Sequence, residues 1–151
     1  MARLEIEIQV PISPTPSLRR QFVDKGLSSH DNGTDIPRGT NVIRLELIKI
    51  LARGEPPILG HKMIERAETA NALNGQDLGE LILANQNQIE EHWQQFTIVL
   101  PGTIWKQNSS SPSSYRYRFV PCLHFENGRW IMTLSWLDGH WGSLHRLVRI
   151  R

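Results

Sequence analysis

Asn127-Gly128, set between two stretches that alternate apolar and polar residues, constrains this chain more than any other feature. A two-residue type I′ turn needs positive φ at both central positions, which Asn and Gly tolerate best, so the dipeptide predicts an antiparallel hairpin over residues 115 to 137. A two-residue loop sets Glu126 opposite Arg129, Phe125 opposite Trp130, Leu123 opposite Met132 and Phe119 opposite Trp136. Alternation then collects Tyr115, Tyr117, Phe119, Leu123, Phe125, Trp130, Met132, Leu134 and Trp136 on one face. Arg116, Arg118, Val120, Cys122, His124, Ile131, Thr133, Ser135 and Leu137 fall on the other. Slipping the register by one residue would mix the two sets, so their segregation supports it. Asp138-Gly139 marks a second turn, and Leu147, Val148 and Ile150 supply a closing strand. A tight turn there would oppose Trp141 to Trp136, whereas a longer one through Gly142 would free both rings.

Upstream, Leu4, Ile6, Ile8 and Val10 alternate with Glu5, Glu7 and Gln9 as in a half-buried strand, and Pro11, Pro14 and Pro16 end it. Residues 17 to 26 read as a short helix from a Ser17 cap to Gly26, and residues 27 to 41 as a loop. The run from Val42 to Leu51, with apolar residues at 43, 47, 50 and 51, is read as a helix, its β-branched content leaving a strand as the alternative. Helices are predicted over residues 61 to 73, stopped by Asn74-Gly75, and from Asp77 towards Trp93, where Gly79 or Asn85-Gln86-Asn87-Gln88 could divide the second. Short strands follow at residues 96 to 100 and 103 to 105 around a Pro101-Gly102 turn, then a polar loop from Gln107 to Ser114. The expected architecture is α+β in one domain. Residues 1–55 hold an N-terminal strand and helices at an edge or exchanged with a partner, residues 56–95 are helical, and residues 96–151 form a mainly antiparallel sheet packed on those helices.

The chain has 151 residues, enough for a core without staples, and no stretch approaches the roughly 20 apolar residues of a membrane span. The N-terminus lacks the basic and apolar regions of a secretory signal, and Cys122 is the only cysteine, so a cytoplasmic protein without disulfides is expected. Charge is unevenly spread. Residues 1 to 95 hold ten Lys or Arg against thirteen Asp or Glu, net −3, and residues 96 to 151 hold seven against two, net +5. Such asymmetry suits a polyanion surface or mutual attraction between chain halves or copies. A helix-turn-helix around Asn74-Gly75 is disfavoured, because its second helix would offer Asp77, Glu80, Glu90 and Glu91 to DNA.

Catalytic signatures are sparse. The six histidines include no His-Glu-x-x-His pair, and no phosphate-binding glycine loop or serine elbow is present, so neither a metal nor a cofactor is expected. Cys122 with His124 on the same hairpin face is the one thiol–imidazole arrangement, and Asp138, His140 and His145 gather near one sheet end. A small buried Cys122 is the favoured reading over a nucleophile.

Trp105 to Trp141 contains four of the five tryptophans, both tyrosines and Arg116, Arg118 and Arg129. Aromatic and arginine side chains serve protein hot spots and single-stranded nucleic-acid grooves alike. If the aromatic face is core, the opposite face is exposed, leaving Arg116, Arg118 and Arg129, with Trp105 and Trp141 at the sheet ends, as the candidate partner contacts. Asn87-Gln88-Ile89-Glu90-Glu91-His92-Trp93, Pro101-Gly102-Thr103-Ile104-Trp105, Val120-Pro121-Cys122-Leu123, Gly128-Arg129-Trp130, Trp136-Leu137 and Arg146-Leu147-Val148-Arg149 resemble a group of short hypothetical bacterial proteins. The resemblance spans residues 60 to 151 and implies a bacterial or phage origin and a shared sheet scaffold, with no site attached. The expected function is a binding or assembly module that docks a partner protein or a second copy. Single-stranded nucleic-acid binding on the arginine face is the alternative, and a small Cys/His-dependent enzyme comes third.

Overall fold

Residues 4–9, 18–32, 42–107 and 117–151 are described by the structure, a computed structural model of the chain. The proline run, the Ser17 cap, residues 108–114 of the polar loop, Tyr115 and Arg116 lie outside the described residues. In chain order the elements are β1 (Leu4–Gln9), α1 (Arg19–Asp24), β2 (Leu27–Asp31), β3 (Val42–Lys49), β4 (Ile58–Leu59), α2 (Gly60–Thr69), α3 (Gln76–Ala84), β5 (Thr97–Val99), β6 (Thr103–Gln107), β7 (Arg118–Glu126), β8 (Arg129–Trp136), β9 (His140–Trp141) and β10 (His145–Ile150). Two 3₁₀ turns, Gln86–Gln88 and Glu91–Gln95, follow α3.

The hairpin of β7 and β8 adopts the register its turn requires, with Glu126 opposite Arg129 and Phe119 opposite Trp136. Asn127 and Gly128 have φ of 52° and 82°, both in the left-handed region that a type I′ turn demands. Because β8 takes one whole flank of β7, β5 and β6 must share the other, β5 beside Cys122 and Leu123 and β6 beside Arg118 and Phe119. Between them Leu100, Pro101 and Gly102 bulge out of the ladder. Pro121 sits opposite, where its missing N–H deprives no partner strand, and its carbonyl accepts from Leu100 N–H at 2.9 Å. The sheet continues β1-β3-β10-β5-β7-β6-β2, antiparallel except for β10 beside β5. β1 is added at an edge against β3, as the N-terminal alternation suggested.

Several expectations are corrected. Residues 42–49 form strand β3 and not a helix: Ile43, Leu45 and Leu47 are buried on one side, and β1 and β10 satisfy the backbone on both flanks. A run with Val42, Ile43 and Ile48 placed between two strands gains more from the ladder and from β-branched packing than from helix propensity. Residues 27–31, expected in a loop, form β2 against β6. Their polar composition is tolerated because the strand lies at an exposed edge, and Asp31 and Asn32 are tied to Thr103 and Gly102. Helix α2 stops at Thr69, short of Asn74-Gly75. Asn71 takes φ 53° just beyond, and Ala72 N–H reaches back to the Ala67 carbonyl at 2.8 Å, a Schellman-type ending. The Asp77–Trp93 segment is one nine-residue helix followed by 3₁₀ turns; Gly79 stays inside the helix and the break comes at Asn85.

Both faces of the sheet are covered, which is a further correction. On the aromatic face, Leu78 and Ile82 of α3 and Trp93 pack with Leu45, Leu47, Ile98, Leu123 and Trp130. On the opposite face, expected to be exposed, Met63 and Ala67 of α2 with Trp141 bury Val99, Val120, Cys122 and Leu137. The chain after β8 also departs from both turn expectations. It leaves the hairpin at Asp138-Gly139 and pairs β9 with β4, sending Trp141 inwards while Trp136 remains outside.

Close backbone approach fixes these layers. A Cβ on Gly60 would lie 1.8 Å from the Leu137 carbonyl oxygen, whereas one on Gly79 would meet only the ends of Leu100 and Met132, at 2.4 and 2.7 Å. Gly60→Ala is therefore expected to cost about 3 kcal/mol, because backbone must move. Gly79→Ala is expected to cost less, since side chains can yield and Ala gains roughly 1 kcal/mol in helix propensity. Urea midpoints of the two variants check the order.

Candidate functional site

The outer edge of β8 has no strand beside it among the described residues. In a type I′ hairpin the pair flanking the turn exchanges both hydrogen bonds, so Arg129, Ile131, Thr133 and Ser135 turn their backbone groups towards β7. Trp130, Met132, Leu134 and Trp136 turn theirs outward. At one end the Gln86 side chain fills the edge. Its amide oxygen accepts from Trp130 N–H at 2.9 Å and its amide nitrogen donates to the Trp130 carbonyl at 3.4 Å. At the other, the Trp136 carbonyl accepts from Gly139 N–H at 3.3 Å. The outward backbone groups of Met132 and Leu134 between them face no strand among the described residues.

Two aromatic rings mark the far end of this edge. Tyr117 and Trp136 stack edge to face with centroids 6.2 Å apart, and they are 49% and 52% exposed. Helix length explains why the aromatic face stops being core here. Nine residues of α3 span about 13 Å, against roughly 30 Å for nine residues of β7, so α3 covers only part of the face. Arg118 donates to Asp138 at 2.5 Å beside the rings, both side chains being 40% exposed. Their attraction in water is small, yet it orients the chain as it leaves β8.

The expected contact residues do not form one surface. Arg118 starts β7 and Arg129 starts β8 at the turn, so about eight residue steps, roughly 27 Å, separate them. Arg116 lies outside the described residues. Trp105 and Trp141 are buried, at 0% and 2% exposure, and serve as internal anchors. The Trp105 indole donates to Gln76 Oε1 at 2.7 Å and meets Phe22 edge to face at 5.2 Å, while the Trp141 indole donates to the Leu137 carbonyl at 3.1 Å. The Gln76 contact belongs to a polar network: Thr103 Oγ1 accepts from Gln76 N–H at 2.9 Å and donates to Asp31 at 2.6 Å, and Arg19 pairs with both Asp31 and Asp77. Burial raises the Asp31 carboxyl, but hydrogen bonds from Thr103 and then Arg19 outweigh it and hold the group below its ordinary value. This network fastens α1, β2 and α3 together and has every mark of a structural clamp.

Cys122 has no nucleophilic setting. Its thiol is fully buried and pushed up to about 12 by desolvation, while the His124 ring turns to Glu126 at 3.2 Å and Thr133 at 3.5 Å. A thiol that hard to ionise is inert near neutral pH. Nor do the other residues assemble a reactive cluster. Asp138 is paired with Arg118, His140 points out, and His145 packs on Trp141 with its Nδ1 accepting from Gly142 N–H at 2.9 Å. Burial lowers the His145 pKa. No group of His, Cys, Asp or Glu suited to a metal occurs among the described residues, and no helix there is long and apolar enough to cross a membrane.

No family model, curated protein or solved structure matches this chain.

The edge residues that sequence reasoning passed over as contacts are Gln86, in the 3₁₀ turn after α3, and Met132 and Leu134 of β8. Their part in the edge depends on β8 having a single neighbour among the described strands, and nothing local in the sequence encodes that.

The buried thiol makes a direct test of the packing. Native protein is expected to resist thiol labelling at pH 8 and to react promptly once unfolded in urea. The pKa of Cys122 is higher in the folded state than the ordinary value of 9.0. Its contribution to stability is therefore full below about 9 and is lost as pH rises towards 12, because only the unfolded chain can ionise there. Urea midpoints between pH 8 and 11 should fall less in Cys122→Ala than in wild type.

Proposed function

We propose that the protein is a docking module that takes an extended segment of another protein chain onto the outer edge of β8, a second copy of this chain being the simplest occupant. The observation that carries this reading is the outward backbone flank of Met132 and Leu134, which faces no strand among the described residues and ends at the exposed Tyr117–Trp136 pair. Strand addition supplies main-chain hydrogen bonds for affinity, and the flanking rings supply the buried aromatic contact that hot spots use.

A second copy fits this edge by symmetry. Two antiparallel β8 strands related by a two-fold axis through Thr133 would set Met132 of one copy opposite Leu134 of the other and exchange their four backbone groups. Each Trp136 would then approach the Trp130 end of the opposite copy, where the strand edge is already closed by Gln86. Such a contact is isologous, so it closes at two copies.

Leu134→Pro removes one outward N–H while leaving the bonds of β8 to β7 in place, since proline is accepted at a strand edge whose N–H faces away from the sheet. Wild type is expected to sediment as a dimer and Leu134→Pro as a monomer with an unchanged far-ultraviolet spectrum. Trp136→Ala should weaken association about thirtyfold, the loss typical of an aromatic hot spot. A wild-type protein that is monomeric at high micromolar concentration and retains no partner chain would falsify the reading.

A further inference from the structure

A cleft of about 410 Å³ opens where the loop after β3 meets the turn before β10. Lys49, Arg53 and Arg146 line it, and Glu55 is the one acid among the lining residues. Glu55 is already occupied. Its Oε1 accepts from Arg66 Nη1 at 2.5 Å and from Ala52 N–H at 2.9 Å, and its Oε2 accepts from Arg66 Nη2 at 2.6 Å. Arg66 itself is not part of the lining, so it answers the acid's charge from outside the cleft, and the two guanidinium groups of Arg53 and Arg146 line the space beside Lys49.

The cations are held in different ways. Lys49 and Arg146 are direct partners across β3 and β10, which places both on the same face of the sheet at one level. The Arg146 guanidinium lies 4.1 Å above the Phe96 ring, and its Nη1 donates to the carbonyls of Ser143 at 2.5 Å and His145 at 3.0 Å. Those contacts fix the plane of the group but engage one nitrogen only. Nε and Nη2 have no protein acceptor among the described residues. Arg53 is exposed on the turn closed by Gly54, whose φ is 78°, and it has no carboxylate partner among the described residues.

We infer that this cleft binds a phosphate monoester carried by a small molecule. A guanidinium fork offers parallel donors to two phosphate oxygens, and a phosphate monoester brings up to two negative charges to match the two arginines, Arg53 and Arg146. A lone carboxylate brings one charge and two oxygens, and answers only one of the two guanidinium groups. The volume falls in the range of small-molecule sites, and Leu51 and Ala52 offer apolar surface to the ligand's body. A nucleic-acid backbone calls instead for cations spread along a continuous track, and here they surround one space. The inference is independent of strand docking on β8, which uses none of these residues.

The test uses the full chain, with inorganic phosphate and phenyl phosphate as probes and chloride at matched ionic strength as the control, read by nuclear magnetic resonance at Phe96 and the arginine side chains. Both probes are expected to shift Phe96 and Arg146 saturably, phenyl phosphate more tightly because its ring can use Leu51. Arg53→Gln, an exposed change, should weaken both about tenfold, the loss of one charge-assisted contact, with an unchanged unfolding midpoint in the absence of phosphate. Adding Arg146→Gln should abolish saturation. Equal shifts with chloride, or affinity unchanged in Arg53→Gln, would overturn the inference. So would binding of a single-stranded oligonucleotide lacking a terminal phosphate as tightly as phenyl phosphate. The Arg53→Gln arm decides the matter even if the double variant fails to fold.

Discussion

Strand β7 is the element on which the other parts converge. Its backbone is paired along one flank by β8 and shared along the other between β5 and β6, while both faces lie under helices. A strand enclosed in this way needs apolar residues at successive positions and not at alternate ones, and Val120, Pro121, Cys122 and Leu123 are all buried. The same enclosure places α2 and α3 on opposite sides of the sheet. It also forces the three-residue bulge at Leu100 to Gly102, because β5 and β6 cannot both stay in step with β7. Gly102 in that bulge touches the Leu73–Asn74 backbone, its N–H donating to the Asn74 carbonyl at 2.8 Å, so the link between α2 and α3 is pinned to the centre of the sheet.

How much of this could be read beforehand depends on the range of the forces involved. The hairpin register was readable because a two-residue turn and a period of two determine it locally, and the observed pairing follows it residue for residue. The α+β class and the alternating first strand were readable for the same reason. β3 was misjudged as a helix because Val42 to Leu51 satisfies both periods, and the deciding factor was the presence of β1 and β10 at distant positions in the chain. β2 was missed because Leu27 to Asp31 has almost no strand propensity of its own. It is held by its neighbours, through Asp31 to Thr103 and Asn32 to Gly102.

The candidate site was less legible for a related reason. Residue type identified aromatic and arginine side chains as contact material, but their exposure is decided by which helix reaches them. Trp105 and Trp141 are drawn into the interior by partners 29 and 4 residues away, Gln76 and Leu137. Tyr117 and Trp136 are left outside because α3 is too short to cover them. The cations of the cleft at Lys49, Arg53 and Arg146 are scattered over nearly a hundred residues of sequence, and only the pairing of β3 with β10 brings them together.

The Gln86 amide on Trp130 has a consequence for assembly. An unprotected strand edge recruits further strands without limit, which is how fibrils grow. Here a side chain imitates a neighbouring strand at one end and the Gly139 turn closes the other, so the exposed ladder is two residues long. A ladder that short is filled by a single visitor and leaves no fresh template behind it. An edge that docks a partner strand as proposed would thus not propagate the contact, and a glutamine side chain distant in sequence from the strand sets that limit.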